Sequence, residues 1–197
     1  MAKMKAAVRV KVVATSRGTL LPGPTYLGAC DASAAVELGG TRFAIASDEA
    51  CADGRHVLHI YERDEPRPVG VVKLGRALGA RAEIDVEAAV RVDGRIYWLG
   101  SHRRTDDGEP APSRRRFFAT DLRDGALRRP KLVYADLVED MLASPELAPL
   151  GLAKLEKRRA GPKAGGLNLE GVTARADGAL LLGLRSPLLG GCAALVP

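Results

Sequence analysis

Apolar and polar residues alternate along this chain in a way that repeatedly predicts a strand, a tight turn and a second strand. The clearest copy runs from Ile84 to His102, where Asp93-Gly94 separates two apolar runs. Asp-Gly between such runs is a strong hairpin signal, because both central turn positions favour a positive φ. The second run, Ile96 to Leu99, is apolar without alternation, which predicts a strand that is buried on both faces.

The same pattern occurs twice more in the sequence. Asp31 to Leu38 leads to the turn Gly39-Gly40, and Asn168 to Ala174 leads to the turn Asp177-Gly178. Aligning the turns places polar residues at matching positions of the first strands. These residues are Ser33, Glu87 and Glu170 and, two residues earlier, Asp31, Asp85 and Asn168. Core packing does not explain polar residues at a recurring position, so we expect a functional site there.

Further strand-like runs follow the first two hairpins, so that each unit supplies about four antiparallel strands. The runs are Val57–Tyr61, Val69–Lys73, Arg116–Leu122 and Lys131–Tyr134. Four antiparallel strands per repeat are typical of a propeller blade. We therefore predict an all-β fold, a partial β-propeller of four-stranded antiparallel blades with a short helical insertion. Another alternating run, Ala7–Val13, predicts one more strand.

The predicted division of the single domain follows from these repeats. Residues 28–80 form the first blade, 81–135 the second, 136–166 the helical insertion and 167–197 an incomplete third blade. Within the insertion we predict helices over Leu137–Ala143, with Asp136 as N-cap, and over Leu150–Arg159. The insertion either covers the site as a lid or packs beside it without touching a ligand, and the sequence leaves both alternatives open.

Composition narrows the functional classes. The net charge of +6 permits attraction to anions, including phosphorylated small molecules. The basic runs lack interleaved aromatic residues, which argues against nucleic-acid binding, and no apolar run is long enough to span a membrane. The three cysteines form no CxxC pair and lysines interrupt the N-terminal run, so we expect a cytoplasmic protein.

Four stretches of the chain resemble a known bacterial family. They are CDASAAVEL, EIDVEAAVRVDGRIYWLGSHRR, RRRFFATDL and GGLNLEGVTARADGALLLGLRSPL. These stretches are similar to the signature regions of domain-of-unknown-function family 3616, and the similarity runs from about Gly28 to the last residue. The resemblance implies a propeller-like fold with a distant likeness to esterase-like and phytase-like propellers, and it implies no catalytic residues.

The chain departs from that family in two respects. Arg103-Arg104 stand where members have Gly-Arg or Gly-Asn, and members continue beyond the point at which this chain stops. An incomplete ring of blades would leave a sheet edge exposed to water. We therefore expect self-association or a partner chain to cover that edge, and a truncated, non-functional fragment is one alternative.

The polar residues at the blade ends suggest three kinds of chemistry. Carboxylates suit a hard cation, so calcium is the candidate ion and its candidate ligands are Asp31, Glu49, Asp85, Glu87 and Glu170. The candidates for binding a small anionic ligand are Ser101, Asn168 and Arg185. The candidates for proton transfer are Glu87, His102 and Glu170.

Two functional readings follow, and the sequence does not decide whether the protein is an enzyme. The leading one is a scaffold with an anion- or metal-binding site at the channel mouth. The alternative is a metal-assisted hydrolase of a phosphoester or another anionic ester. A third reading assigns the acids only a structural role, in which they cap strand ends and pair with Arg103 or Arg185. No HExxH, Walker, GxGxxG or GxSxG motif points to a particular chemistry.

Overall fold

The protein is mostly β. The structure is a computed structural model, and it describes residues 25–51, 54–80, 82–130 and 132–197. Within those ranges, twelve strands form three antiparallel sheets, and two short α-helices lie between the second and third sheets along the chain. The predicted all-β class is confirmed. The predicted strand at Ala7–Val13 lies outside the described residues.

The first sheet contains four strands that pair in chain order. They are β1 (Ala32–Gly39), β2 (Arg42–Ser47), β3 (Val57–Glu62) and β4 (Gly70–Lys73). The turn between β1 and β2 uses Gly39 and Gly40 at positive φ, as the two-glycine sequence predicts. At most of the strand ends in this sheet, the predicted and the observed end therefore differ by no more than one residue.

The second sheet contains five strands. They are β5 (Val86–Val92), β6 (Arg95–Gly100), β7 (Phe117–Arg123), β8 (Ala126–Leu127) and β9 (Leu132–Tyr134). Strands β5 to β8 pair in order, and β9 also pairs with β7. Asp93 and Gly94 form the first turn with φ values of 44° and 72°, as predicted. The sheet has one strand more than predicted, because the two-residue β8 folds back on the end of β7.

The third sheet contains three strands and follows the insertion. Its strands are β10 (Asn168–Ala174), β11 (Leu180–Leu189) and β12 (Cys192–Val196). The insertion contains α1 (Leu137–Ala143), a 3₁₀ segment over Pro145–Leu150 and α2 (Leu152–Lys157). The first helix has the predicted bounds, although Asp136 makes no side-chain capping bond, and the second is two residues shorter than predicted at each end.

Two hydrophobic cores hold the sheets together. The first is built from the first two sheets around Leu58, Trp98 and Phe118, and Trp98 is 0% exposed. Its indole Nε1 donates to Thr120 Oγ1 at 2.9 Å, which satisfies the polar atom that burial would otherwise leave unpaired. The second core contains Val138 of α1, so the insertion packs against the third sheet instead of standing clear of it.

The first strands of the three sheets lie side by side. Strand β5 contacts both β1 and β10. Ser33 Oγ of β1 donates to the carbonyl oxygen of Val86 in β5. On the other side, the Leu169 N–H of β10 donates to the carbonyl oxygen of Ser101, directly after β6, at 2.9 Å. This arrangement brings the repeated polar positions of the sequence to one region of the molecule.

Candidate functional site

Each of the three first strands contains a β-bulge at the same place. The register of paired residues passes from Ala32 to Ala34 in β1, from Val86 to Ala88 in β5 and from Leu169 to Gly171 in β10. The residues left over at the bulges are Ser33, Glu87 and Glu170. A bulge bends its strand and re-aims the extra side chain. The polar position that recurs in the sequence is therefore the bulged residue in all three sheets.

A cleft of about 550 Å³ lies beside the second and third bulges. It is bordered by the end of β2, by the loop after β6, by the end of the insertion and by the third sheet. The lining residues are Asp48, Glu87, Arg103, Asp106, Pro162, Lys163, Gly165, Asn168, Arg185, Ser186, Pro187 and Leu188. The segment after α2 thus borders the cleft, whereas the helices of the insertion contribute Val138, Met141 and Leu152 to the second core.

Glu87 is the acid of this cleft whose pKa is most strongly perturbed. Its half-buried carboxyl makes no hydrogen bond or ion pair with any residue that the structure describes. Burial raises the pKa of Glu87 to about 8, and the charges of Asp85, Glu170 and Asp48 add to the shift, whereas Arg103 opposes it. Glu87 is therefore mainly protonated at neutral pH. A perturbed acid in a concave site is a common feature of functional sites.

Asp85, two residues earlier, is buried and fully paired. Its Oδ2 accepts hydrogen bonds from Ser101 Oγ at 2.6 Å and from Arg103 Nε at 2.8 Å. The Nε of Arg114 lies 3.4 Å from the same oxygen. Asp85 has a φ of 58°, a left-handed conformation that aspartate tolerates better than most residues. Asp85 and Ser101 therefore fix the loop after β6, and neither carries a free group toward a ligand.

Glu170, the bulged residue of the third sheet, has a cationic partner. Its Oε1 lies 2.6 Å from Nη1 of Arg185, which belongs to the paired strand β11. Asn168 Nδ2 donates to the same oxygen at 3.2 Å. Asn168 is only 3% exposed, and its Oδ1 has no hydrogen-bond partner among the described residues. Asn168, which like Glu87 lines the cleft, therefore carries a buried acceptor without a donor among the described residues.

The basic residues that line the cleft all pair with acids. Arg103 contacts Asp106 at 3.4 Å in addition to its bond with Asp85. Lys163, from the end of the insertion, also pairs with Asp106. The repeat alignment missed Asp106 and Lys163 because both lie in segments that have no counterpart in the other repeats. Asp48 was visible as the residue after β2, but nothing in its sequence context distinguished it from Glu49.

His102 does not line this cleft. Its ring is 0% exposed, and its Nδ1 lies 2.8 Å from the carbonyl oxygen of Gly100. Burial lowers the pKa of His102 to about 4, an effect that the Gly100 carbonyl opposes and that Arg115 and Arg116 increase. The imidazole is therefore neutral at physiological pH. The structure does not bring it to the cleft that Glu87 lines, and Glu170 lies beside that cleft without being one of its lining residues.

The predicted metal ligands are only partly gathered. Asp31 and Glu49 are exposed and do not line the cleft, whereas Asp85 is committed to Ser101 and two arginines. Among the residues that the structure describes, no three His, Cys, Asp or Glu side chains form a group that could hold a metal ion. The calcium site therefore gains no support from the geometry.

Comparison of the chain with models of protein families, with curated proteins and with solved structures gives no significant match. The resemblance to family 3616 stays a prediction. The helices found in the described ranges are too short or too polar to cross a membrane.

Proposed function

We propose that this chain is a binding scaffold for a small polar molecule and that the cleft beside Glu87 and Glu170 is its site. The observation that supports this most is the pair of unpaired groups, the Glu87 carboxyl and Asn168 Oδ1, at a concave surface. Asn168 Oδ1 is buried, and a buried polar atom without a partner costs about 1–3 kcal/mol, whereas the half-buried Glu87 carboxyl is an ionisable group without a counter-charge among the described residues. A ligand that supplies the missing partners would recover that cost when it binds.

The architecture that we propose is the propeller-type one. Three observations support it: consecutive antiparallel strands within each sheet, neighbouring first strands, and the same bulge in each of them. We also propose membership of family 3616, on the repeated stretches that carry the bulges. A cytoplasmic location is proposed because no disulfide forms between cysteines in the described structure.

Spectra of the ¹⁵N-labelled protein test the binding proposal. Inorganic phosphate, calcium chloride, agmatine and 1,4-butanediol would be titrated separately, so that anionic, metallic, cationic and neutral ligands are all represented. We expect at least one of them to shift the amide signals of Glu87, Asn168 and Arg185 saturably. A matched control is Glu37→Gln, which changes an exposed acid of β1 away from the cleft. If no compound shifts the cleft signals, the proposal fails.

A second candidate function is hydrolysis of an anionic ester. The specific observation in its favour is the protonated Glu87 carboxyl at the cleft, since a carboxylic acid that keeps its proton at neutral pH can serve as a general acid. Arg185 lies near enough to Glu87 for their charges to interact. Turnover of p-nitrophenyl phosphate that disappears in Glu87→Gln and persists in Glu37→Gln would support hydrolysis. Equal turnover in both variants would refute it.

We propose that the third sheet associates with another chain. Leu189 and Leu195 are 46% and 68% exposed, and among the described strands β12 pairs only with β11. An edge strand with exposed apolar side chains is a typical site of association.

A further inference from the structure

We propose that the ligand of the cleft is a small organic cation, whose primary ammonium or guanidinium group lies between the Glu87 carboxyl and Asn168 Oδ1. This inference rests on the proposed function and names the class of its ligand. It depends on which charges in the cleft already have partners and which do not.

The cations that line the cleft are already neutralised. Arg103 pairs with Asp85 and Asp106, Lys163 pairs with Asp106, and Arg185 pairs with Glu170. An anionic ligand would therefore find no positive charge in this lining that lacks a carboxylate partner. The acids show the opposite pattern, because neither Glu87 nor Asp48 forms an ion pair with a described residue. The unmatched charge of the cleft is therefore negative once Glu87 ionises.

The unpaired atoms are also acceptors of hydrogen bonds. Asn168 gives its Nδ2 donor to Glu170, and this leaves Oδ1 at the cleft without a donor. An ionised carboxylate accepts hydrogen bonds and donates none. The ligand group that matches both must carry several N–H donors and a positive charge, as an ammonium or a guanidinium does. A hydrated calcium ion, which needs six to eight oxygen ligands, is a poorer match to two acceptors.

The remaining wall of the cleft is apolar. Pro162 borders it from the insertion, and Pro187 and Leu188 border it from the far end of β11. Apolar surface beside a charged group suits the methylene chain of an aliphatic amine. A ligand with one or two cationic ends and a short alkyl segment therefore matches both walls.

Binding of such a cation would be linked to release of a proton. The charged groups that face Glu87 are Asp85 on its own strand, Asp48 after β2, Arg103 after β6, Glu170 on β10 and Arg185 on β11. Burial, together with the charges of Asp85, Glu170 and Asp48, raises the pKa of Glu87 to about 8, and Arg103 opposes this shift. A cation beside the carboxyl favours the ionised form and expels the proton. Affinity should rise by about tenfold per pH unit up to roughly pH 8 and become constant above it.

Calorimetric titration with agmatine tests this inference, because its guanidinium stays charged throughout the range. Titrations at pH 6, 7, 8 and 9 should show about a tenfold gain in affinity from pH 6 to 7 and little gain from pH 8 to 9. Repeating the pH 7 titration in buffers of different ionisation enthalpy should reveal nearly one proton released per agmatine bound. The neutral 1,4-butanediol, which has a similar carbon chain, should not bind.

Two variants make the result specific. Glu87→Gln should lose at least tenfold in agmatine affinity at pH 8 together with the proton release, whereas Glu37→Gln should bind like the wild type. Thermal unfolding should show that Glu87→Gln is folded, since it removes a carboxyl that opposes folding at that pH.

Other outcomes separate this inference from the proposed function. If butanediol, phosphate or calcium binds at the cleft and agmatine does not, the ligand class is wrong while the binding scaffold stands. Agmatine binding that keeps its pH dependence in Glu87→Gln would also overturn the inference. If none of the four compounds perturbs the cleft, the proposed function and the inference both fail.

Discussion

The second and third sheets carry the same bulge but treat its side chain in opposite ways. Glu170 lies 2.6 Å from Arg185 on the adjacent strand, so its charge is matched. Glu87 has no such partner among the described residues, and burial raises its pKa to about 8. The same β-bulge thus carries a paired surface carboxylate in the third sheet and, in the second sheet, a neutral carboxyl without a partner among the described residues.

The difference originates on the neighbouring strand. In the third sheet Arg185 is the extra residue of β11 opposite the bulge region. In the second sheet Val86 pairs with Gly100 as Leu169 pairs with Leu184 in the third, so the residue that corresponds to Arg185 is Ser101. The Ser101 hydroxyl carries no charge and donates to Asp85 at 2.6 Å. Glu87 therefore obtains no cation from the position that supplies one to Glu170.

The largest effect is expected from Asp85→Asn, which would weaken the frame that holds Glu87 in place. Asn tolerates the left-handed backbone at this position and can still accept from Ser101, but it removes the charge that neutralises Arg103 and Arg114. Removing one partner of a buried ion pair should lower the free energy of unfolding by about 3 kcal/mol. Urea denaturation of both proteins at pH 7 measures this difference in the free energy of unfolding.

The control for Asp85→Asn is Asp106→Asn, which removes a more exposed partner of the same arginine. It should lower the free energy of unfolding by less than Asp85→Asn does, because a solvent-exposed ion pair contributes little to stability. Equal losses in the two variants would show that Asp85 does not organise the loop and that the burial of its carboxylate has no special role.

The next effect is the pH dependence of stability that arises from His102, near the end of β6. His102 is held neutral with a pKa of about 4, whereas in the unfolded chain a histidine takes up a proton near pH 6.5. Stability is therefore lost as pH falls from about 6.5 to 4, by roughly 3 kcal/mol in total. His102→Asn, which suits the φ of 55°, should flatten that part of the urea-measured profile. An unchanged slope would contradict the burial of a neutral imidazole.

The repeat in the sequence was sufficient to predict the three hairpins and the polar positions that converge. Turn residues such as Asp93-Gly94 and the uniformly apolar Ile96–Leu99 have strong local preferences, so these elements could be located from their own residues. The bulges could not be predicted in this way, because an extra residue in one strand is set by pairing with its neighbour.

The functional differences among the candidates also depended on distant contacts. In the sequence Glu87 and His102 are both candidates for proton transfer. In the structure His102 is buried beside the Gly100 carbonyl and does not line the cleft, whereas Lys163 and Asp106, from segments outside the repeat, do line it. Such placements follow from the path of the 101–116 loop and of the insertion, and neither has a periodic pattern that fixes its position.

A smaller effect tests the comparison between the two bulged acids directly. The raised pKa of Glu87 means that its folded-state preference for the proton favours folding below pH 4.5 and is lost as pH rises to about 8. Glu87→Gln should therefore stabilise the protein at pH 8 by roughly 1–2 kcal/mol after allowance for solvent screening, and should have little effect at pH 4. Urea denaturation at both pH values measures the difference.

Glu170→Gln is the matched variant for Glu87→Gln. It breaks an exposed pair with Arg185, so it should destabilise the protein by less than about 1 kcal/mol at pH 8. The two substitutions thus have opposite signs. The same sign for both would mean that the two bulges are electrostatically equivalent and would remove the basis of the contrast.

The smallest effect on stability is expected from substitutions in β12 of the third sheet and β9 of the second sheet. Leu195 of β12 is 68% exposed, so Leu195→Lys should change the free energy of unfolding by less than about 0.5 kcal/mol. It should nevertheless reduce self-association, because a lysine on an edge strand opposes pairing with another chain. In sedimentation velocity we expect the wild-type coefficient to rise with concentration and that of the variant to stay constant.

Val133→Lys, on the second sheet, should leave the wild-type behaviour intact, since Val133 is only 39% exposed and lies on β9. A wild-type protein that is monomeric at every concentration would show that the third sheet, unlike its cleft, needs no partner.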